Sequence, residues 1–263
     1  MDYLYILREA LVWIITIFWL YQLLVSLCSL VKIKDKPLKV KKDHRFMAII
    51  PAHNEEAVVG NLIESLKKQN YNKDLYDIYV IADNCTDNTA KVAKEAGAIV
   101  YKRFDETKKT KGYALNWFLQ QKIQENAPYD AFFVFDADNI VHPDFIKNMN
   151  KKLCQGEDVV QGYRDIKNPT DSWITAGYAI FYWTMHRFYH LARYNLGLSP
   201  LLNGNMFVSS SSSRKMVKNS SFLSIINPLN KIQLKNQDNL HLNSRYFLHR
   251  QTCAVDYQKE LQH

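Results

Sequence analysis

Asp136 and Asp138 stand one residue apart, directly after the apolar run 131–135. Two carboxylates this close repel each other unless something positive lies between them. At the end of a strand, positions i and i+2 share a face, so both can offer oxygen to one hard cation. Mg2+ and Mn2+ accept such ligands and usually take few from the protein, the rest coming from water and phosphate. An isolated Asp pair also fits an ordinary surface turn, where Asp is common. An EF-hand loop is excluded, because Ile140 and Val141 occupy the positions that need an oxygen side chain and a glycine. The sequence has neither a GxGxxG fingerprint nor a P-loop.

Three other polar stretches precede this pair in order: AIIPAHNEE (48–56), VIADNCTDNT (80–89) and KGYALN (111–116). Each falls where a strand ends or a helix starts. The spacing predicts strands over 45–50, 77–82, 98–101, 131–135 and 158–164. Helices are expected to begin near Asn54, after the 83–89 turn and at Gly112, with another opened by Pro143. After Asn54, Val59, Leu62, Ile63 and Leu66 form an apolar face. Alternating strands and helices predict an α/β fold, a mostly parallel sheet with flanking helices. Ligands of such sheets bind outside the carboxyl ends of the strands, where His53, Glu55, Asp83, Asp136 and Asp138 all fall. A long helix is predicted over 171–193, with an apolar stripe of Ile174, Tyr178, Phe181, Met185, Phe188 and Ala192. Its charge and histidines favour a core or membrane-surface helix over a second span.

Residues 10–31, ALVWIITIFWLYQLLVSLCSLV, contain no charge. As a helix they reach about 33 Å, enough to cross a bilayer. Seven Lys or Arg follow within 32–45, against Asp35 and Asp43. This asymmetry predicts a single-pass protein of the cell membrane with the rest of the chain cytoplasmic, and the basic run suits anionic membrane lipid. The expected organisation is an N-terminal segment over 1–31 with its transmembrane helix at about 10–31, a basic linker over 32–44, a catalytic domain over 45–204 and a polar tail over 205–263. The 263 residues carry a net charge of +8. Charge alone does not assign a nucleic-acid partner, because much of it is juxtamembrane, and none is expected. Cys28, Cys85, Cys154 and Cys253 form no CxxC pair, which fits a reduced compartment without structural zinc.

Taken together, the four ordered stretches resemble the family 2 glycosyltransferases, which have a GT-A fold and use nucleotide-diphospho-sugars. With the N-terminal anchor, the resemblance is greatest to the membrane-bound polysaccharide-synthesising branch. It implies that Pro51, Ala52, His53 and Glu55 form the loop cupping the nucleoside, with His53 where Tyr or Phe is usual. It implies that Asp83 contacts the base, although Ala82 replaces the first Asp of that turn. Lys111 is implied near the diphosphate. Asp136 and Asp138 are implied to hold Mg2+ or Mn2+, with Asp136 also contacting the nucleotide-sugar. The implied partners are a nucleotide-diphospho-sugar donor, taken to be a UDP-sugar, a saccharide or lipid-linked acceptor, and membrane lipid. The implied reaction is sugar transfer with inversion, in glycan or cell-surface polysaccharide synthesis.

Beyond Gly204 the family pattern fails. LLNGNMF begins like an acceptor strand and then runs into Ser209–213. Downstream there is no Thr-Glu-Asp, the family's source of a general base, so the catalytic base is unassigned. An interrupted reading frame near 205 would explain this, and predicts poor turnover. The alternative reading is an impaired remnant that at most binds nucleotide-sugar. A nucleotidyltransferase is disfavoured, because PAHNEE lacks that class's Gly-rich, basic loop.

Overall fold

The computed structural model describes residues 2–31, 37–157, 159–198 and 207–209. They fall into two compact units: one is helical, containing the N-terminal helix and 163–198, and the other contains the sheet.

The sheet unit contains β1 (Phe46–Ala52), α2 (Val59–Lys67), β2 (Tyr76–Asp83), α3 (Thr89–Glu95), β3 (Ile99–Arg103), α4 (Lys111–Gln124), β4 (Ala131–Val134), α5 (Phe145–Cys154), β5 (Val159–Gln161) and β6 (Phe207–Ser209). The strand order is β3-β2-β1-β4-β6-β5. The first four strands are parallel, whereas β6 runs antiparallel to both β4 and β5. This is the α/β architecture expected from the alternating elements. Strands β1, β2 and β4 read as near-continuous apolar runs because helices cover both faces of the sheet. On one face Met47, Ile49, Tyr79, Ile81, Phe132 and Val134 pack with Ala114, Leu115, Phe118 and Leu119 of α4. Elsewhere in the core, Phe46 stacks on Phe133 at 4.8 Å and Phe133 meets Phe145 of α5 at 5.5 Å.

Several details differ from the sequence expectations. Helix α2 begins at Val59, not near Asn54, because Asn54 takes a left-handed conformation (φ 56°) and its side chain bonds outside its own loop. The expected apolar face of α2 is nevertheless buried. The sheet also continues past Gly204: β6 lies between β4 and β5, so β4 is not left as an open edge. The remainder of the 205–263 tail, Cys253 included, lies outside the described residues. Part of the basic linker is attached to the sheet unit. The Lys39 and Val40 N–H groups both donate to the Cys154 carbonyl (2.8 and 3.2 Å), and Lys42 pairs with Asp130 at 2.8 Å.

The helical unit contains α1 (Asp2–Leu27), a 3-10 turn (Cys28–Leu30), α6 (Trp173–Thr184), a π-helical stretch (Met185–His190) and α7 (Leu191–Asn195). Together, Tyr3–Leu30 are long and apolar enough to cross a membrane. The helix starts well before the apolar run at residue 10. The predicted 171–193 helix is broken in type by the π stretch, and the first half of its apolar stripe is not buried. Ile174, Tyr178 and Phe181 are exposed, while His186 and His190 are buried with Ala192. The Arg164 N–H donates to His186 Nε2 at 3.3 Å, and the two imidazoles lie 5.2 Å apart. Burial, with smaller effects from His190 and Arg164, lowers the His186 pKa to about 4. Burial and then Arg193 lower that of His190.

Candidate functional site

The parallel order β2-β1-β4 brings three strand ends to one edge. Ala52 pairs with Ala82, and Ile49 with Val134. The Phe135 N–H still donates to the Ile49 carbonyl at 3.0 Å, so Asp136 emerges just beyond the sheet. Pro51 and Ala52 are the last residues of β1, Asp83 the last of β2, and Lys111 the first of α4.

The loops after β1 and β2 are laced together. Asn54 Oδ1 accepts from the Thr86 N–H at 2.8 Å, and the Glu55 N–H donates to Thr89 Oγ1 at 2.8 Å. Glu56 Oε2 accepts from the Asn88 N–H at 2.8 Å, and its own N–H donates to Asp87 at 3.2 Å. Thus Glu55 contributes its backbone to this brace. Asp87 is a local helix-start acceptor, bonded by the N–H and hydroxyl of Thr89. The Cys85 thiol donates to the Ala52 carbonyl at 3.4 Å, and burial pushes its pKa up. His53 Nδ1 lies 2.7 Å from the Asp83 carbonyl oxygen. A carbonyl only accepts, so Nδ1 carries a proton.

Asp83 is buried, and its partner is a residue the sequence reading did not select. Register places Asp83 opposite Arg103, the last residue of β3. The Arg103 guanidinium donates to Asp83 Oδ1 at 2.6 Å, to Asp105 at 2.9 Å and to the Lys108 carbonyl at 2.9 Å. Asn84 (φ 51°) closes the corner, accepting from the Asp105 N–H at 2.9 Å and donating to Asp83 at 3.2 Å. The available signal was charge complementarity between the ends of adjacent strands. It was hidden because the third strand was expected to end at residue 101, before Arg103.

At the β4 end, the Lys111 ammonium donates to the Asp136 carboxylate. Both side chains are partly exposed, at 29% and 28%. Ala137 is buried between the two acids, while Asp138 is exposed and accepts from the Asn139 amide at 3.0 Å. Asn139 Oδ1 in turn accepts from the Asp136 N–H at 3.2 Å. This donor set, two oxygen ligands at a position that already attracts a cation, fits Mg2+ or Mn2+. Among the described residues no group of three or more His, Cys, Asp or Glu forms a metal site. Two of the predicted site contacts are direct, His53 with Asp83 and Lys111 with Asp136. The other residues meet them through strand order. A separate cavity lined by Met47, Leu119, Ile123, Tyr129 and Phe132 lies at the opposite, amino end of β1 and β4.

Comparison with known proteins places this edge in context. Residues 47–216 match the family described as glycosyl transferase family 2. An uncharacterized protein of Methanocaldococcus jannaschii is 30% identical over 127 residues, covering 48% of this chain and 49% of that protein. A beta-monoglucosyldiacylglycerol synthase of Nostoc is 33% identical over 136 residues, covering 49% of this chain and 28% of its own. A 4,4'-diaponeurosporenoate glycosyltransferase of Staphylococcus aureus is 34% identical over 111 residues, covering 41% of this chain and 28% of its own. The chain thus spans about half or less of the length of these relatives. Among solved structures, a mannosyltransferase of Pyrobaculum calidifontis, in complex with GDP-Man and Mn2+, superposes with a TM-score of 0.55 at 16% identity. It covers 77% of this chain and 53% of that one, a likeness of fold.

Proposed function

Since this chain belongs to glycosyl transferase family 2, we propose that it transfers a sugar from a nucleotide-diphospho-sugar, with inversion, to a saccharide or lipid-linked acceptor at the cell membrane. The observation that carries this reading is the β4 end, where Lys111 and two carboxylates meet at the carboxyl edge of the sheet. UDP is the proposed nucleotide. Pro51, Ala52, His53, Glu55 and Asp83 are the proposed nucleoside-side residues, and the two laced loops hold them in place without a ligand. The Asp83 carboxylate faces the base only as far as its bond to Arg103 leaves Oδ2 free to accept. Asp136 and Asp138 would hold Mg2+ or Mn2+, which when bound supplies Lewis-acid stabilisation of the departing diphosphate. Lys111 would add a second positive charge beside the diphosphate. The reading keeps α1 as a single-pass anchor with the sheet unit in the cytoplasm. Protease digestion of an epitope placed after Arg45, from outside intact cells, would contradict that orientation.

The direct test is UDP binding by calorimetry to the purified full chain. Affinity is expected to rise on adding Mn2+ and to lose most of that gain in Asp138→Asn. Metal-independent binding, unchanged by the substitution, would overturn the assignment of Asp136 and Asp138. UDP release from a panel of UDP-sugars then separates a transferase from a remnant that only binds. A missing general base alone typically costs about 10²–10⁴-fold.

A further inference from the structure

Helix α6 has no buried residue. Trp173 is 85% exposed, and Ile180, Tyr178 and Phe181 are each more than half exposed. Residues 172–185 contain no charge. A helix that is apolar around its whole circumference needs a non-aqueous surrounding. Its 12 residues span about 18 Å, short of the roughly 30 Å hydrocarbon layer. Trp173 and Trp183 lie near its two ends, with Tyr178 and Tyr182 between them, side-chain types that settle at the headgroup level. The helix start is self-satisfied: Ser172 Oγ accepts from the Thr175 N–H at 3.2 Å, and Thr175 Oγ1 accepts from the Ser172 N–H at 3.0 Å. Few backbone donors therefore need water there.

The same unit identifies what surrounds this helix. The Asn195 side-chain amide donates to the Cys28 and Val31 carbonyls at 2.8 and 2.9 Å, fastening the end of α7 to the end of the membrane-length helix α1. Met185 lies ten residues of continuous helix before Asn195, roughly 15 Å. The apolar segment therefore begins within reach of the place where α1 would leave the bilayer. We propose that α6 lies in the headgroup–acyl boundary of the bilayer that α1 crosses, as a second, non-spanning membrane contact. This rests on the reading of α1 as the anchor.

The test uses the full chain reconstituted in phosphatidylcholine–phosphatidylglycerol vesicles with bromine on the acyl chains, either near the headgroups or deep. Bromine quenches nearby tryptophan. The wild type reports the anchor through Trp13 and Trp19. The variant Trp13→Phe/Trp19→Phe retains Trp117, Trp173 and Trp183. Its fluorescence is expected to remain quenched, more by shallow than by deep bromine. Adding Trp173→Phe/Trp183→Phe should abolish that quenching. Equal quenching of the double and quadruple variants, with the wild type still quenched, would overturn the proposal and leave the anchor intact. Stronger quenching by deep bromine would overturn the interfacial depth. An unquenched wild type would overturn both readings. Trp173 is exposed, so its replacement by Phe tests contact rather than folding.

Discussion

The sheet unit and the helical unit bury polar side chains in opposite ways. In the first, Asp83 and Arg103 are nearly inaccessible and paired at 2.6 Å. In the second, His186 and His190 are at least as inaccessible, yet His186 Nδ1 and both nitrogens of His190 have no partner. A charged group taken out of water needs an opposite charge and hydrogen bonds, whereas an imidazole can shed its proton instead. The sheet unit therefore offsets burial by pairing, and the helical unit by neutrality. The second solution is sensitive to mild acid.

Breaking the pair should have the largest effect. Arg103→Ala is expected to destabilise the sheet unit by about 3–5 kcal/mol, because it leaves a buried carboxylate uncompensated. Chemical denaturation in detergent measures this. The double variant Asp83→Leu/Arg103→Met should cost much less, and equal losses would show that the pairing is not what compensates burial.

Acid should come next. The folded pKa of His186 lies below its unfolded value, so the unfolded state binds the proton first. The stability contributed by its neutral form is complete above about pH 6.5 and is lost as pH falls toward about 4. The full loss is on the order of 3 kcal/mol. Unfolding free energy followed from pH 7.5 to 4 should fall in wild type and fall less steeply in His186→Leu. Parallel curves would remove the histidine from the comparison. Smaller again, Lys111→Met should cost at most about 1 kcal/mol, because its bond to Asp136 is partly solvated.

The smallest stability effect is expected at Asp138. Its exposed carboxylate should tolerate Asn within about 0.5 kcal/mol, even though the same change is expected to remove metal-dependent UDP binding. A large loss of stability there would mean that Asp138 is structural, and would blunt the contrast between a residue that holds the fold and one that awaits a ligand.

Much of the sheet unit was legible in the residues. Apolar runs of strand length, separated by helical periodicity, imply a parallel sheet because burial on both faces removes the need for alternation. The ordered polar stretches then had to fall at the strand ends. The start of α2 was misread because Asn54 is as good a helix cap as it is a left-handed turn residue, and only the position of Thr86 selects between them. Arg103 was missed for a similar reason. Its partner lies 20 residues away, and strand register alone brings them together.

The long helix over 171–193 shows the same limit in the other unit. An apolar stripe at spacings of three and four reads as a core or membrane-surface face; in this structure Ile174, Tyr178 and Phe181 are exposed, while Ala192 and the histidines are inside. Periodicity reports which side chains share a helix face, but not which solvent that face meets. The sequence by itself determined the order of strands and helices, the anchor-length apolar helix, and the family to which the chain is similar, because these depend on local spacing and residue type. Only the tertiary structure decided that Asp83 is held by Arg103, that Lys111 reaches Asp136, that β6 continues the sheet beyond Gly204, and that His186 and His190 are buried with His186 Nδ1 and both nitrogens of His190 unbonded. Each of these depends on which distant segments come into contact, and hydrophobic burial across the whole chain selects those contacts.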